Sequence, residues 1–292
     1  MCTQEELHRR YPHAAESVDA LRSHPNVREV VHGVDCRELA AHFGADARFD
    51  RIVFNLPQAP VIQGARNKIQ RHRALLSEFC ASASTALARN GQLWITLLAG
   101  QGGTCLDPLT RPVGDTWQIV HAGADAGLLL RAATHVSVDS LGYEPTGRRA
   151  NQRLTPSRLR HGLLVHVFSR ENEPEEPAVC GAIEWHFQNS FQTDSAAVGD
   201  DAQPAGEAML EIARGALGSP MQRTLVCAPT FLRARHLDQG GEVLTYRFTY
   251  RSAELALSLS RVRLANSIAC EAIAQAGWSL RWTLGYPVRD RS

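Results

Sequence analysis

The chain has 292 residues, 44% of them hydrophobic, and carries 31 basic against 30 acidic side chains for a net charge of +1. That length and apolar content support packed cores in two domains of ordinary size and exclude a disordered or fibrous chain. The longest apolar run, residues 93–99, is interrupted by Thr96 and far too short to cross a bilayer, and MCTQEELHRRYPH lacks the apolar centre of a signal peptide, so a soluble, intracellular protein is expected.

In chain order, Leu7, Tyr11, Ala14, Val18 and Leu21 recur at helical spacing, which predicts one amphipathic helix over residues 5–23. VREVVHGVD (27–35) reads as a strand ending in Asp35, followed by a short helix over 37–43. FDRIVFN (49–55) reads as a strand buried on both faces. A helix is expected over 66–89, a strand at QLWITLL, a helix over 117–126 and a strand at LLVHVF (163–168). This alternation predicts a mostly parallel sheet flanked by helices.

ENEPEEP, with its acidic-proline steps, suits neither helix nor central strand and makes a linker over 171–180. It separates a first domain, 1–170, from a second, 181–292. By count, residues 1–170 hold 20 Arg or Lys against 15 Asp or Glu, so a polyanion partner is permitted. The second domain reads as IEWHFQ, a helix over 207–217, strands near 224–228 and at EVLTYRFTYR, a helix over 259–276 stopped by Gly277, and a last strand SLRW. The order β-α-β-β-α-β is the ferredoxin-like pattern.

Five features carry chemistry. The Asn55-Leu56-Pro57-Gln58 turn places an amide that donates and accepts at a strand's carboxyl end, where α/β folds bind ligands. Asp35 ends its predicted strand in the same way. In GQGGT (100–104), Gly100 and Gly102 let backbone N–H groups converge on an anion or let a ligand approach closely; no Walker A or GxGxxG pattern accompanies them. Arg66, Lys68, Arg71 and Arg73 crowd the start of one helix, where cations oppose the helix dipole and an anion, such as an RNA backbone, would offset them. In 242–251, alternation sends Leu244, Tyr246, Phe248 and Tyr250 to a core and Arg247 and Arg251 to an open, RNA-facing surface. The seven cysteines are odd in number and form no CxxC, and no His or carboxylate cluster accompanies the twelve histidines on one element, so no disulfide framework or metal site is expected.

Several stretches together resemble the Rossmann-like domain of the large-subunit rRNA uridine-N3 methyltransferases: YPHAAESVDAL, VVHGVDCRELA, FDRIVFNLPQ, NKIQRHRALLSEFCASASTAL, GQLWITLLAGQGGT, DTWQIVHAGADAGLLL and GYEPTGRR. LTYRFTYRSAELALSLSRVR and SLRW resemble the ferredoxin-fold anticodon-binding module of phenylalanyl-tRNA synthetases. The resemblance implies S-adenosylmethionine-dependent methylation of uridine N3 in rRNA, with an appended RNA- or tRNA-binding domain, in the cytoplasm or nucleolus. It places Asp35, Asn55, Gly100 and Gly102 at the cofactor and Asn55, Pro57 and Gln58 at the transfer site. The family turn reads Asn-Phe-Pro-His, and Met1 falls near the end of the family's second strand. The expected sheet is therefore incomplete at its N-terminus, lacking the glycine-rich cofactor loop and the strand that separates 27–35 from 49–55. A non-catalytic RNA- or tRNA-binding protein stands as the alternative.

Overall fold

The computed structural model describes residues 3–11, 13–60, 67–104, 106–137, 160–171, 184–193, 202–218, 226–227, 229–238, 241–252 and 255–287. The chain divides into two compact units, Met1–Glu173 and Pro174–Ser292.

In the first unit the expected single N-terminal helix is two, α1 (Gln4–Arg10) and α2 (Ala14–Ser23). Pro12 lies between them and has no N–H to continue a helical ladder. A short α3 spans Leu39–Phe43. Strand β1 (Phe49–Asn55) leads to α4 (Lys68–Ala86), which passes directly into β2 (Leu87–Leu98). After these come α5 (Ile119–Asp125), β3 (Leu128–Val136) and β4 (Leu163–Arg170).

Helix α4 ends earlier than the sequence pattern indicates for a physical reason. The Arg170 guanidinium donates to the carbonyls of Ser84 and Leu87 at 2.5 and 2.8 Å, satisfying acceptors that another helical turn would have used. Its inward face, His72, Leu76, Phe79, Cys80, Ala83 and Ala86, is buried. Phe79 meets Phe54 of β1 edge to face at 4.5 Å between ring centroids.

The sheet order is β1-β2-β4-β3. Only β1 and β2 run parallel; β4 is antiparallel to both β2 and β3. This corrects the expected mostly parallel sheet: β3, unforeseen in the sequence, forms an antiparallel pair with β4. Residues 27–35 form no strand either. An extended segment without a ladder partner has no means of satisfying its backbone groups as sheet. Strand β1 is an edge, and instead of burial on both faces it leaves Val53 51% exposed.

The second unit runs β5 (Trp185–Thr193), α6 (Ala202–Leu217), β6 (Val226–Cys227), β7 (Thr230–His236), β8 (Glu242–Arg251), α7 (Leu259–Gln275) and β9 (Ser279–Pro287). Its antiparallel sheet has the order β6-β8-β5-β9, with β7 also on β8, which is the ferredoxin-like arrangement. On β8, Leu244, Tyr246, Phe248 and Tyr250 are fully buried, as their period-two spacing requires. A buried polar network locks α7 to the sheet: the Asn189 amide donates to Asn266 Oδ1 at 2.8 Å, and the Tyr250 hydroxyl donates to the same oxygen at 3.1 Å.

Candidate functional site

The carboxyl ends of parallel β1 and β2 lie side by side and bring two loops together. After β1, Leu56 stands at φ +49°. A residue with a Cβ holds that left-handed conformation only where the surroundings impose it. Here the Leu56 N–H donates to Thr96 O at 2.9 Å, while Thr96 Oγ1 donates to Asn55 Oδ1 at 2.7 Å. Thr96 is buried and fixes both ends of the turn. Asn55 and Gln58 are exposed, and Pro57 is buried. With its oxygen engaged by Thr96, Asn55 turns the two donors of its Nδ2 outward. The Arg71 guanidinium closes the far side, donating to Pro60 O at 2.9 Å.

After β2, the glycine-rich loop is built differently. Asp107 Oδ1 accepts from Gly100 N at 2.7 Å, and Oδ2 accepts from Gly103 N at 2.9 Å and Thr104 N at 3.0 Å. Gly100 and Gly103 have φ of +79° and +74°, the conformations that let these amides converge. Gly102 is glycine for another reason: a Cβ there would lie 2.6 Å from Nε2 of His166. The His166 ring is wholly buried, and its Nδ1 lies 3.1 Å from Ile95 O. Burial holds the His166 pKa below the ordinary imidazole value. The anion that the sequence anticipates at these amides is a side chain of the same loop.

Asp35 is likewise engaged. Its Oδ1 accepts from Arg37 N and Nε at 3.0 and 2.9 Å, and its Oδ2 accepts from Arg37 Nη2 at 2.7 Å. These hydrogen bonds lower the carboxyl pKa to about 2. Arg37 also reaches Glu78 of α4 at 3.3 Å, so the pair ties this segment to the helix.

Of the basic residues at the start of α4, Arg66 lies outside the described residues, and Lys68 is exposed. Arg73 is turned inward: its Nε donates to Thr116 O at 2.9 Å, and its Nη2 to the carbonyls of Val113, Gly114 and Thr116 at 2.9, 2.9 and 2.7 Å. Desolvation there lowers its pKa. Arg71 and Arg73 thus clasp the segments flanking the two loops. In the second unit Arg251 is exposed, whereas Arg247 is half-buried with Nε out of contact with solvent. Sequence reasoning overlooked β7, whose exposed Arg233 and Arg235 pair opposite Thr245 and Val243 and share a face with Arg247. It also overlooked Trp282 and Leu284 on β9, 38% and 57% exposed. A cleft of about 540 Å³ between α7 and β9 is lined partly by Phe187, Asn266, Cys270 and Leu280 and by none of the predicted site residues. No group of three metal-ligating side chains occurs among the described residues.

The fold is an α/β unit with a mixed sheet followed by a ferredoxin-like unit. Residues 1–144 match the model of the BMT5-like family, described as rRNA (uridine-N3-)-methyltransferase BTM5-like. The chain is 35% identical over 161 residues to the mouse ferredoxin-fold anticodon-binding domain-containing protein 1 homolog, a match covering 54% of this chain and 24% of that one. To human ferredoxin-fold anticodon-binding domain-containing protein 1 it is 34% identical over 163 residues, covering 55% and 25%. The match thus spans about a quarter of the length of these curated relatives. No helix among the described residues is long and apolar enough to cross a membrane.

Proposed function

We propose that the chain is an RNA-directed protein of the methyltransferase type, with the Asn55–Gln58 turn as its substrate-facing group and the second unit as an RNA-binding surface. The observation that carries this reading is Asn55, whose oxygen is anchored while its donors stand exposed at the carboxyl end of β1, within the residues that match the BMT5-like model. Those donors fit a carbonyl oxygen of uracil, the atom on which negative charge collects as N3 loses its proton. Neither Asn55 nor Gln58 is a base, so the turn orients and stabilises; it does not take the proton.

S-adenosylmethionine would supply the methyl group in this family's chemistry. The groups expected to hold it do not fit as free ligands, because both Asp35 oxygens accept from Arg37, the Gly100 amide is used by Asp107, and Gly102 lies against His166. These engagements favour a second reading, a non-catalytic RNA- or tRNA-binding protein. In either case exposed Lys68 on the first unit and, separately, exposed Arg233, Arg235 and Arg251 with half-buried Arg247 on the second supply cations for phosphate groups.

Two titrations of the purified chain decide between the readings: calorimetry with S-adenosylhomocysteine, and fluorescence anisotropy with a uridine-rich RNA. Cofactor binding together with RNA binding that Asn55→Ala weakens supports the methyltransferase reading. RNA binding without cofactor binding, indifferent to Asn55→Ala, selects the non-catalytic one.

A further inference from the structure

We propose that the amides of Gly100, Gly103 and Thr104 form an anion site which the chain fills with its own Asp107. Asp107 is thereby the positioning residue for the wall beside the Asn55 turn, and it closes that wall to phosphate-bearing ligands. The positional part rests on reading the Asn55 turn as the substrate-facing site; the anion site itself does not.

Three backbone N–H groups and one hydroxyl point at one carboxylate. Oδ1 takes Gly100 N at 2.7 Å, and Oδ2 takes Gly103 N, Thr104 N and Thr104 Oγ1 at 2.9, 3.0 and 3.4 Å. Two glycines at positive φ in such a loop make the concavity of amides that binds phosphate elsewhere. The rest of the loop is pinned from other directions. Trp117 N donates to Gln101 O at 2.7 Å, Ile119 N to Gly102 O at 3.1 Å, and Leu98 N to the Gln101 side chain at 3.1 Å. Its surfaces are equally committed: a Cβ at Gly103 would lie 2.5 Å from Thr116 Oγ1, and one at Gly100 would lie 2.8 Å from Arg111 Nε. The Gln101 and Gly102 carbonyls are therefore held from the segment entering α5 and the Gln101 N–H by Leu98 O, whereas the Gly100, Gly103 and Thr104 amides are met by the Asp107 carboxylate.

Without the carboxylate, convergent N–H dipoles would face one another uncompensated, and an external anion of similar size would be drawn in. With it, a nucleotide phosphate meets a negative charge and finds the Gly100, Gly103 and Thr104 amides already engaged. The loop thus discriminates against dinucleotides and nucleoside triphosphates while keeping its shape without any ligand. The link to the Asn55 turn runs along β2: Thr96, which holds Asn55 and Leu56, lies two residues before the strand's end at Leu98, and Gly100 follows two residues after that end.

The test uses the full chain and its Asp107→Ala and Asp107→Asn variants. Thermal unfolding is followed in formate and in chloride at matched ionic strength, and inorganic phosphate is titrated by calorimetry. Formate should raise the unfolding midpoint of Asp107→Ala above its value in chloride and leave the unsubstituted chain unmoved. Phosphate should bind the alanine variant and not the parent. Equal behaviour in the two salts together with no phosphate binding would overturn the proposal. Should the alanine variant not fold, hydrogen exchange on the parent decides: slow exchange of the Gly100, Gly103 and Thr104 amides supports the anion site, and fast exchange refutes it. The positional role is read separately. RNA affinity that falls in the alanine variant and returns with formate supports it, whereas formate rescue of stability with unchanged RNA affinity removes the positional role and leaves the anion site standing.

Discussion

The loops that follow β1 and β2 start side by side, yet they use their polar groups in opposite ways. After β1, Asn55 spends its oxygen on Thr96 and presents its nitrogen to solvent. After β2, the amides of Gly100, Gly103 and Thr104 are all consumed by Asp107. A glycine-rich loop announces converging donors, but whether those donors reach a ligand depends on what else in the chain claims them. Here the plainer of the two turns is the one left able to bind.

The largest expected effect tests whether the second loop is as fully committed as its contacts imply. Gly102→Val adds a side chain whose first carbon would already lie 2.6 Å from the wholly buried His166. Overpacking of this kind costs on the order of 2–3 kcal/mol, read as a lower denaturant midpoint at unchanged slope. Gln58→Val, on the exposed side of the first loop, should stay within about 0.5 kcal/mol. Equal losses would erase the distinction between the loops.

Next in size is Arg73→Ala. Its guanidinium serves the carbonyls of Val113, Gly114 and Thr116, and charged hydrogen bonds of that sort are worth roughly 1.5–3 kcal/mol. Lys68→Ala should leave stability within about 0.5 kcal/mol and weaken RNA binding instead, with a shallower salt dependence. If Arg73→Ala weakens RNA binding without lowering stability, the inward clasp is not its main role.

A pH titration sharpens the same contrast. Burial depresses the His166 pKa, so the unfolded chain takes up a proton at higher pH than the folded one does. The stability contributed by the neutral ring is present above the unfolded value, near 6.5, and is lost as pH falls through and below it. The charge of the Asp107 carboxylate opposes this depression only in part. His166→Gln should therefore show a smaller drop in thermal midpoint between neutral and mildly acidic pH than the unsubstituted chain. An unchanged drop would assign the pH dependence elsewhere.

Local pattern carried the second unit further than the first. Strand β8 and helix α7 follow from period-two and helical spacing, since a buried strand beneath helices forces its apolar residues to one side. Sheet direction in the first unit is not local: β4 pairs antiparallel to β2 across some seventy residues, with Leu93 opposite Phe168. Residues 27–35 have a strand's composition, but a strand also needs a partner. At the site, Asn55 was legible because Asn-Leu-Pro is a short-range signal. Asp107 was not, because three residues after Thr104 it reads as an ordinary acidic turn residue until the φ values of Gly100 and Gly103 are known. Arg71 and Arg73 were legible as cations and misread in direction, since charge in a sequence does not reveal which carbonyls will claim it.

The smallest expected change in stability bears most directly on the first loop. Thr96→Val keeps the buried volume and the backbone acceptor for Leu56, and removes only the hydroxyl that donates to Asn55 Oδ1 at 2.7 Å. Because Asn55 is exposed, its oxygen gains water in exchange, so the cost should be about 1 kcal/mol or less. What is lost is orientation: the amide becomes able to rotate, and its donors no longer have a fixed direction. Affinity for uridine-rich RNA should fall several-fold in Thr96→Val, and no further in Thr96→Val with Asn55→Ala than in Asn55→Ala alone, the non-additivity expected when one residue acts through the other. Independent, additive losses would mean that Thr96 supports the strand and nothing more, and that the exposed amide of Asn55 is no better prepared for a ligand than the occupied amides next to it.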